Sequence, residues 1–449
     1  GRRGRRPLPG ARRQPVPRVA RMPRGAPFHV RRSQRARAAA LVVALGLLAS
    51  ACSDDTATTP GSTGASGATG RSETPRTLRV PDDHPTVQSA VDAAEPGDLI
   101  LLAPGTYSEA VTVEVPRVTI RGLDRNTVIL DGGDERENGF LVFSDGVAIE
   151  NLTTAHYRGN GVLFSGDYGS GRILDGFRAS YVTAHNNGLY GVYAFAAQNG
   201  TIDHVYGSGH PSAAVYVGQC FPCNTVVRDS LGEHNAVGFQ GANAGGDLYV
   251  VTSTWRANRV GMESLSSRKE QAYPQRQAVL AANAVVDNNG EGTPLATNGF
   301  GVGIAIAGGR ANRVEANVVS GHIVAGIVVT PQEDFLPEAN RIESNRLTSN
   351  TVDLVFVSAD GAPLDNCFRA NTYSISSPEN IEKALNCAPE RTGGAGTLPG
   401  GTAPANVDYR AVPAPPPQPT MPDASTAPAR PATGTPDFPD VATLVAPTP

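Results

Sequence analysis

Gly191-Val192-Tyr193-Ala194, Ala214-Val215-Tyr216-Val217, Gly238-Phe239-Gln240-Gly241 and Gly261-Met262-Glu263-Ser264, all within residues 188–267, repeat one pattern. Each is a small residue followed by alternating side chains, and the small residues fall 23, 24 and 23 positions apart. The unit recurs at Gly161-Val162, Gly303-Ile304 and Gly326-Ile327, and in degenerate form at Asp353-Leu354. A fixed period of roughly 20–50 residues marks a repeat architecture. Each unit also carries a second apolar segment beside a polar turn, as at Ile202-Asp203-His204-Val205 and Asn317-Val318-Val319.

Short alternating segments bounded by Gly, Asn, Asp and Ser read as strands and turns. No interior segment sustains a 3.6-residue period, which disfavours helix there. Two or three short strands in ~23 residues are too few for a propeller blade of ~40–45 residues. They fit one coil of a parallel β-helix, each coil stacking on the last. The Leu-x-x-Leu-x-Leu framework of a leucine-rich repeat is missing. Asn in the turns tolerates left-handed backbone and can bond along a column of like turns.

Residues 1–51 hold 13 Arg and no acid, and the first Met is Met22. Arg31, Arg32, Arg35 and Arg37 precede a 12-residue apolar run, Ala38 to Ala49. That run is too short to span a bilayer and suits a signal-peptide core. Leu48-Ala49-Ser50-Ala51-Cys52 resembles the lipobox of bacterial lipoproteins, with Ala49 where that pattern prefers Leu. The resemblance implies lipidation at Cys52 and a partner in the membrane through that anchor; the alternative is cleavage near Ala51 and free secretion. Without the 13 Arg, 25 basic and 42 acidic residues remain, a net of −17. Such a chain is a poor ligand for nucleic acid. The expected organisation is a leader at 1–52, a flexible linker at 53–77, a β-helix domain at 78–390 and a disordered Pro/Ala/Thr-rich tail at 391–449.

The domain opens with a short helical run, Thr86 to Ala94, ended by Pro96-Gly97. A buried strand at Leu99 to Leu102 and a turn at Pro104 to Tyr107 follow. A helix there would cover the open first coil. This stretch, with Gly105-Thr106-Tyr107-Ser108-Glu109, resembles the start of the pectin-lyase-like superfamily. The expected fold is therefore all-β, a single-stranded right-handed parallel β-helix with an N-terminal helical cap. Lyase chemistry in that superfamily sets Arg or Lys beside a Ca2+-bound uronate, so Ca2+ is the one cofactor the resemblance admits. The Asp cluster that would hold it is not evident. The Asp and Gln-Asp signature of pectin methylesterases is absent at Gly238-Phe239-Gln240-Gly241, and Gly209-His210-Pro211 matches only part of the polygalacturonase set.

With Cys52 set aside, four cysteines remain. Cys220-Phe221-Pro222-Cys223 reads as a local disulfide, with redox or metal roles as alternatives, and Cys367 with Cys387 as a bridge that pins the carboxy-terminal cap. Because strand side chains alternate, Val192, Val215, Phe239, Met262, Ile304 and Ile327 should face inward. The next positions then form an outer ladder, Tyr193, Tyr216, Gln240 and Glu263, on coils ~4.8 Å apart. Aromatic faces stack on sugar rings, Gln binds hydroxyls, and Glu263 can act as acid or base, so a polysaccharide is the expected partner. The bland reading is an exposed sheet in which Tyr is a good strand former. Asp229 and Asp247 are candidates for a second carboxylate. A further row, Asn187, His210, His234, Ala257 and His322, sets His210 and His234 on adjacent coils as a candidate metal pair. Arg256, Arg259, Arg268, Lys269 and Arg276 cluster about an insertion at 268–277. A monomer is expected. The competing functions are a non-catalytic scaffold that displays loops to a protein, and metal handling similar to the NosD group.

Overall fold

In a computed structural model, the described residues are 75–167, 169–294, 299–359, 365–388 and 393–448. The leader, the lipobox Cys52 and nearly all of the linker lie outside them. Among the described residues no helix is long and apolar enough to cross a membrane.

Three short strands per coil generate three parallel sheets. The chain visits them in turn: Leu99–Leu102 in the first, Gly105–Tyr107 in the second, Val111–Val113 in the third, then Thr119–Gly122 in the first again. The sheets hold 12, 10 and 11 strands, and every pairing between these strands is parallel. Gly105 to Tyr107, expected as a turn, is a strand, because the stacked coil supplies partners that an isolated turn lacks. The fold is a right-handed parallel β-helix, the hand that parallel crossovers take.

Register follows the repeat. On the first sheet Ile100, Ile120, Ile149, Ala179, Ile202, Val227, Val250 and Leu280 pair rung by rung and point inward. On the third, Val162, Val192, Val215, Phe239, Met262, Ile304 and Ile327 do the same, and all are buried. Each Val, Leu, Ile, Phe or Met among them contributes roughly 1.5–3 kcal/mol on leaving water.

The turns carry three polar columns. One runs Asn187, His210, Asn235, Asn258, Asn288, His322, Asn350. In its repeating form, each side-chain oxygen accepts from the backbone N–H of the coil before, as Asn258 Oδ1 does from Asn235 N at 2.9 Å. The residue before each member is left-handed: Asn186, Gly209, His234, Ala257, Asp287, Gly321, Ser349. Ser230, Ser253, Asn283, Asn317, Asn345 and Asn371 form a second column, and Gln275, Asn312, Asn340 and Asn366 a third. These side chains satisfy buried N–H groups at bends where the sheet ladder is interrupted.

Both ends are covered. Helix Val87–Ala93, with a Thr86–Ser89 capping box, lays Val87, Ala90 and Val91 on the first coil. At the other end helix Ile381–Ala384 buries Ile381, and Glu382 Oε1 accepts from Asn371 to close the second column. Cys367 is bonded to Cys387 beside this helix, and Cys220 to Cys223.

The tail departs from expectation. Residues 393–448 lie along the solenoid in extended form, with two 3-10 turns. Composition argued for disorder because few bulky apolar groups are present. The tail docks mainly through its carbonyls instead. Asn186 donates to the Tyr409 and Val412 oxygens, Arg125 to Pro419, and Arg121 to Ala427 and Pro428. Phe438, Val441 and Leu444 then pack over Tyr249, Val251, Val279 and Ala281.

Candidate functional site

The outer face of the third sheet has three columns. The middle one runs Leu163, Tyr193, Tyr216, Gln240, Glu263, Ala305, Val328, each residue the direct neighbour of the next. Strand Tyr190–Phe195 turns Val192 and Ala194 inward and Tyr193 and Phe195 outward. Tyr190, Tyr193 and Tyr216 form an aromatic cluster with ring centroids 4.5, 4.7 and 5.0 Å apart, and Phe195 lies 5.7 Å from Tyr193. The floor beside it is small. A Cβ on Gly218 would stand 2.2 Å from the Tyr216 hydroxyl, so only glycine lets that ring lie down.

The insertion closes over one end of the ladder. Glu270 accepts from the Tyr216 hydroxyl at 2.8 Å, from Asn243 Nδ2 at 3.3 Å and from Gln219 Nε2. Gln219 Oε1 in turn accepts from the Gln271 and Ala272 N–H groups at 3.0 Å. Tyr216 is consequently only 2% exposed. It was expected to offer a stacking face. It is instead a ladder residue that holds a carboxylate, and the half-buried Tyr190, Tyr193 and Phe195 supply the remaining aromatic surface.

Burial dominates the electrostatics here. It pushes the Tyr193 and Tyr216 phenols well above their ordinary value, and Tyr190 up to about 12. It also raises the Glu263 carboxyl against the opposing bond from Gln240 Nε2 at 2.8 Å. Glu270 is raised by burial too, against its three donors. Both carboxylates act on Tyr190, so the site pairs an aromatic wall with two acids that hold protons more readily than in water.

Glu270 was missed in the sequence. The signal was the insertion at 268–277, but its return path over the sheet is not periodic. Asp229 and Asp247 are not the second carboxylate. Both occupy left-handed turns at the ends of first-sheet strands, and Asp229 accepts from the Thr252 hydroxyl.

The histidine pair needs correcting. His210 stacks on Asn235, not His234, because the turn before Gly238 is one residue shorter than the turn before Ala214. Both ring nitrogens of His210 face Asn side chains, and burial lowers its pKa to about 3. His234 is the left-handed residue one step earlier. The basic cluster also disperses. Arg256 pairs with Glu233, Arg259 reaches the Pro404 oxygen, Arg268 clamps Asp334, and Arg276 lies 3.5 Å over the Phe221 ring. Glu343, Cys367 and Cys387 come together, but the two sulfurs are bonded to each other.

No protein-family model and no curated protein sequence matches the chain. Among solved structures, the A-module of Azotobacter vinelandii mannuronan C-5 epimerase AlgE6 is similar at 13% identity and a TM-score of 0.45, over 66% of this chain and 95% of that one. The AlgE4 A-module of the same organism gives 12% and 0.44, over 65% and 90%. The polygalacturonase from Erwinia carotovora gives 12% and 0.38, over 69% and 97%. The likeness is one of fold alone; the three parallel sheets of the described residues are those of a right-handed parallel β-helix.

Proposed function

We propose that the outer face of the third sheet binds a polysaccharide. A pyranose ring stacks on Tyr193 and Phe195, with hydroxyls of the neighbouring sugar on Gln240 and Glu263. The observation that supports this is the aromatic cluster running directly into an amide and two half-buried carboxyls. Aromatic surface with convergent polar groups suits sugars, which carry an apolar ring face and polar edges. A Glu whose carboxyl burial raises is also better suited to donate a proton to a glycosidic oxygen. Export through 1–52 and a lipid anchor at Cys52, with 53–77 as tether, belong to the same reading. Two disulfides fit an oxidising compartment.

The test is a glycan array probed with the full chain and with a Tyr190→Ala, Tyr193→Ala double variant. At least tenfold weaker binding is expected for the variant. Undiminished binding removes the proposal, and binding of a protein instead of a glycan favours the scaffold. Incubation with uronate polymers, followed by the absorbance of unsaturated product, tells catalysis from binding.

A further inference from the structure

The outer face of the first sheet carries a second cleft. Its wall is built from adjacent rungs: Arg178, Thr201 and Val226 in one column, Glu150, Ser180, Asp203 and Arg228 in the next. Its roof is the tail at 430–437, and the space enclosed is about 380 Å³. Small-molecule sites occupy roughly 300–1,000 Å³, so the cleft has room for one or two sugar-sized rings.

The roof is pinned at both ends. Arg430 N donates to Thr119 Oγ1 at 2.9 Å, and Arg178 donates to the Arg430 oxygen at 2.7 Å. Ala432 N donates to the Gly146 oxygen at 2.9 Å. Beyond the cleft, Phe438 stacks on Tyr249 at 5.2 Å. The sheet is shaped for this crossing: Gly176 has φ +79°, and a Cβ there would meet the Ala432 oxygen at 2.1 Å.

Inside, much of the hydrogen-bonding capacity is unused. Glu150 is occupied by Arg121 at 2.8 Å and Arg178 at 3.4 Å. Among the described residues, however, the hydroxyls of Ser180, Thr201 and Thr433 have no hydrogen-bond partner, nor has the Asp437 carboxylate. Arg228 has only Asp229, at 4.0 Å. Ser180 is buried and Thr201 half-buried, while Thr433, Asp437 and Arg228 are exposed, so a ligand in the cleft would exchange water on these groups for its own donors and acceptors. Alternating hydroxyls, carboxylates and guanidinium match a polyhydroxylated molecule. Arg228, on the sheet wall and held only by Asp229 at 4.0 Å, matches one carboxylate on it.

We propose that this cleft binds a small hydroxyl-rich acid of mono- or disaccharide size, and that the tail segment 430–437 is part of the site. The proposal does not rest on the reading of the third sheet. Its test is calorimetric titration of the full chain with glucuronic acid, with glucose as the neutral control. Glucuronic acid should bind at least tenfold more tightly than glucose. Arg228→Ala should remove that preference, and Thr201→Trp, which fills the cleft, should abolish both titrations while the melting temperature confirms folding. Hydrogen exchange at 433–437 should slow when glucuronic acid is present. Tyr190→Ala with Tyr193→Ala should change none of this, so the two faces are read separately. No binding at millimolar concentrations, or binding unchanged by Thr201→Trp, overturns the proposal.

Discussion

The first and third sheets are wound from the same coils, yet their outer faces are finished differently. On the third sheet, one short insertion folds over the Tyr216 end of the ladder and leaves Tyr193 and Phe195 half-exposed. On the first, the chain's own carboxy-terminal segment lies over much of the sheet and buries charged residues beneath it. Arg121 and Glu150 there are 0% and 1% exposed by side chain and pair at 2.8 Å. One covering is local and brings a carboxylate; the other is long and brings carbonyl acceptors. A solenoid gives every face the same row of stacked side chains. What distinguishes a face is the non-repeating chain laid over it.

The largest expected effect separates the two coverings. Ending the chain at residue 400 removes the three tail carbonyls that accept from Arg121 and Arg125, both nearly fully buried. Hydrogen bonds to charged groups contribute about 1.5–3 kcal/mol each, so losing the three should lower stability in urea unfolding by about 4.5–9 kcal/mol. Replacing 268–273 with two glycines should leave stability within about 1.5 kcal/mol, because it removes no core side chain and opens Tyr216, Gln219 and Asn243 to water. The same deletion should abolish glycan binding. Equal stability losses would show that the two faces are not finished differently.

A smaller effect probes single residues under each covering. Arg121→Ala leaves Glu150 buried, with only Arg178 at 3.4 Å and Arg430 at 3.9 Å nearby. Removing one partner of a buried pair costs about 3–5 kcal/mol. Tyr216→Phe takes one donor from Glu270, which keeps Gln219 and Asn243, and should cost no more than about 1.5 kcal/mol. Its clearer consequence should be weaker glycan binding, as the Glu270 loop loses an anchor.

The repeat was legible because coil length is nearly constant from Gly191 to Glu263. That constancy placed Tyr193, Tyr216, Gln240 and Glu263 in one row. The same assumption failed at His234, where counting back from Gly238 overlooked a turn one residue shorter. Glu270 was not legible, since nothing in its spacing says which rung the insertion returns to. The tail misled for another reason. Hydrophobic content gauges whether a segment can form its own core, and this one borrows buried arginines from a core already built.

The finest distinction between the faces is one of sign. Glu263 holds its proton more tightly folded than unfolded, because burial outweighs the bond from Gln240. A carboxyl whose folded pKa is raised contributes stability while it is protonated, and that contribution is lost as pH rises through the folded value. Glu263→Gln supplies a neutral isostere at every pH. The variant should therefore be more stable than the parent at pH 7.5, and the gap should close as pH falls toward 4. On the other face Glu150→Gln removes the anion that Arg121 and Arg178 surround, and should lower stability at pH 7.5. Urea midpoints for the two variants at pH 4.5, 6 and 7.5 measure this directly. Opposite signs at neutral pH identify Glu263 as a group held at a cost to stability, as functional carboxyls commonly are. A loss in both variants would make Glu263 an ordinary structural acid and leave the third sheet without its chemical half.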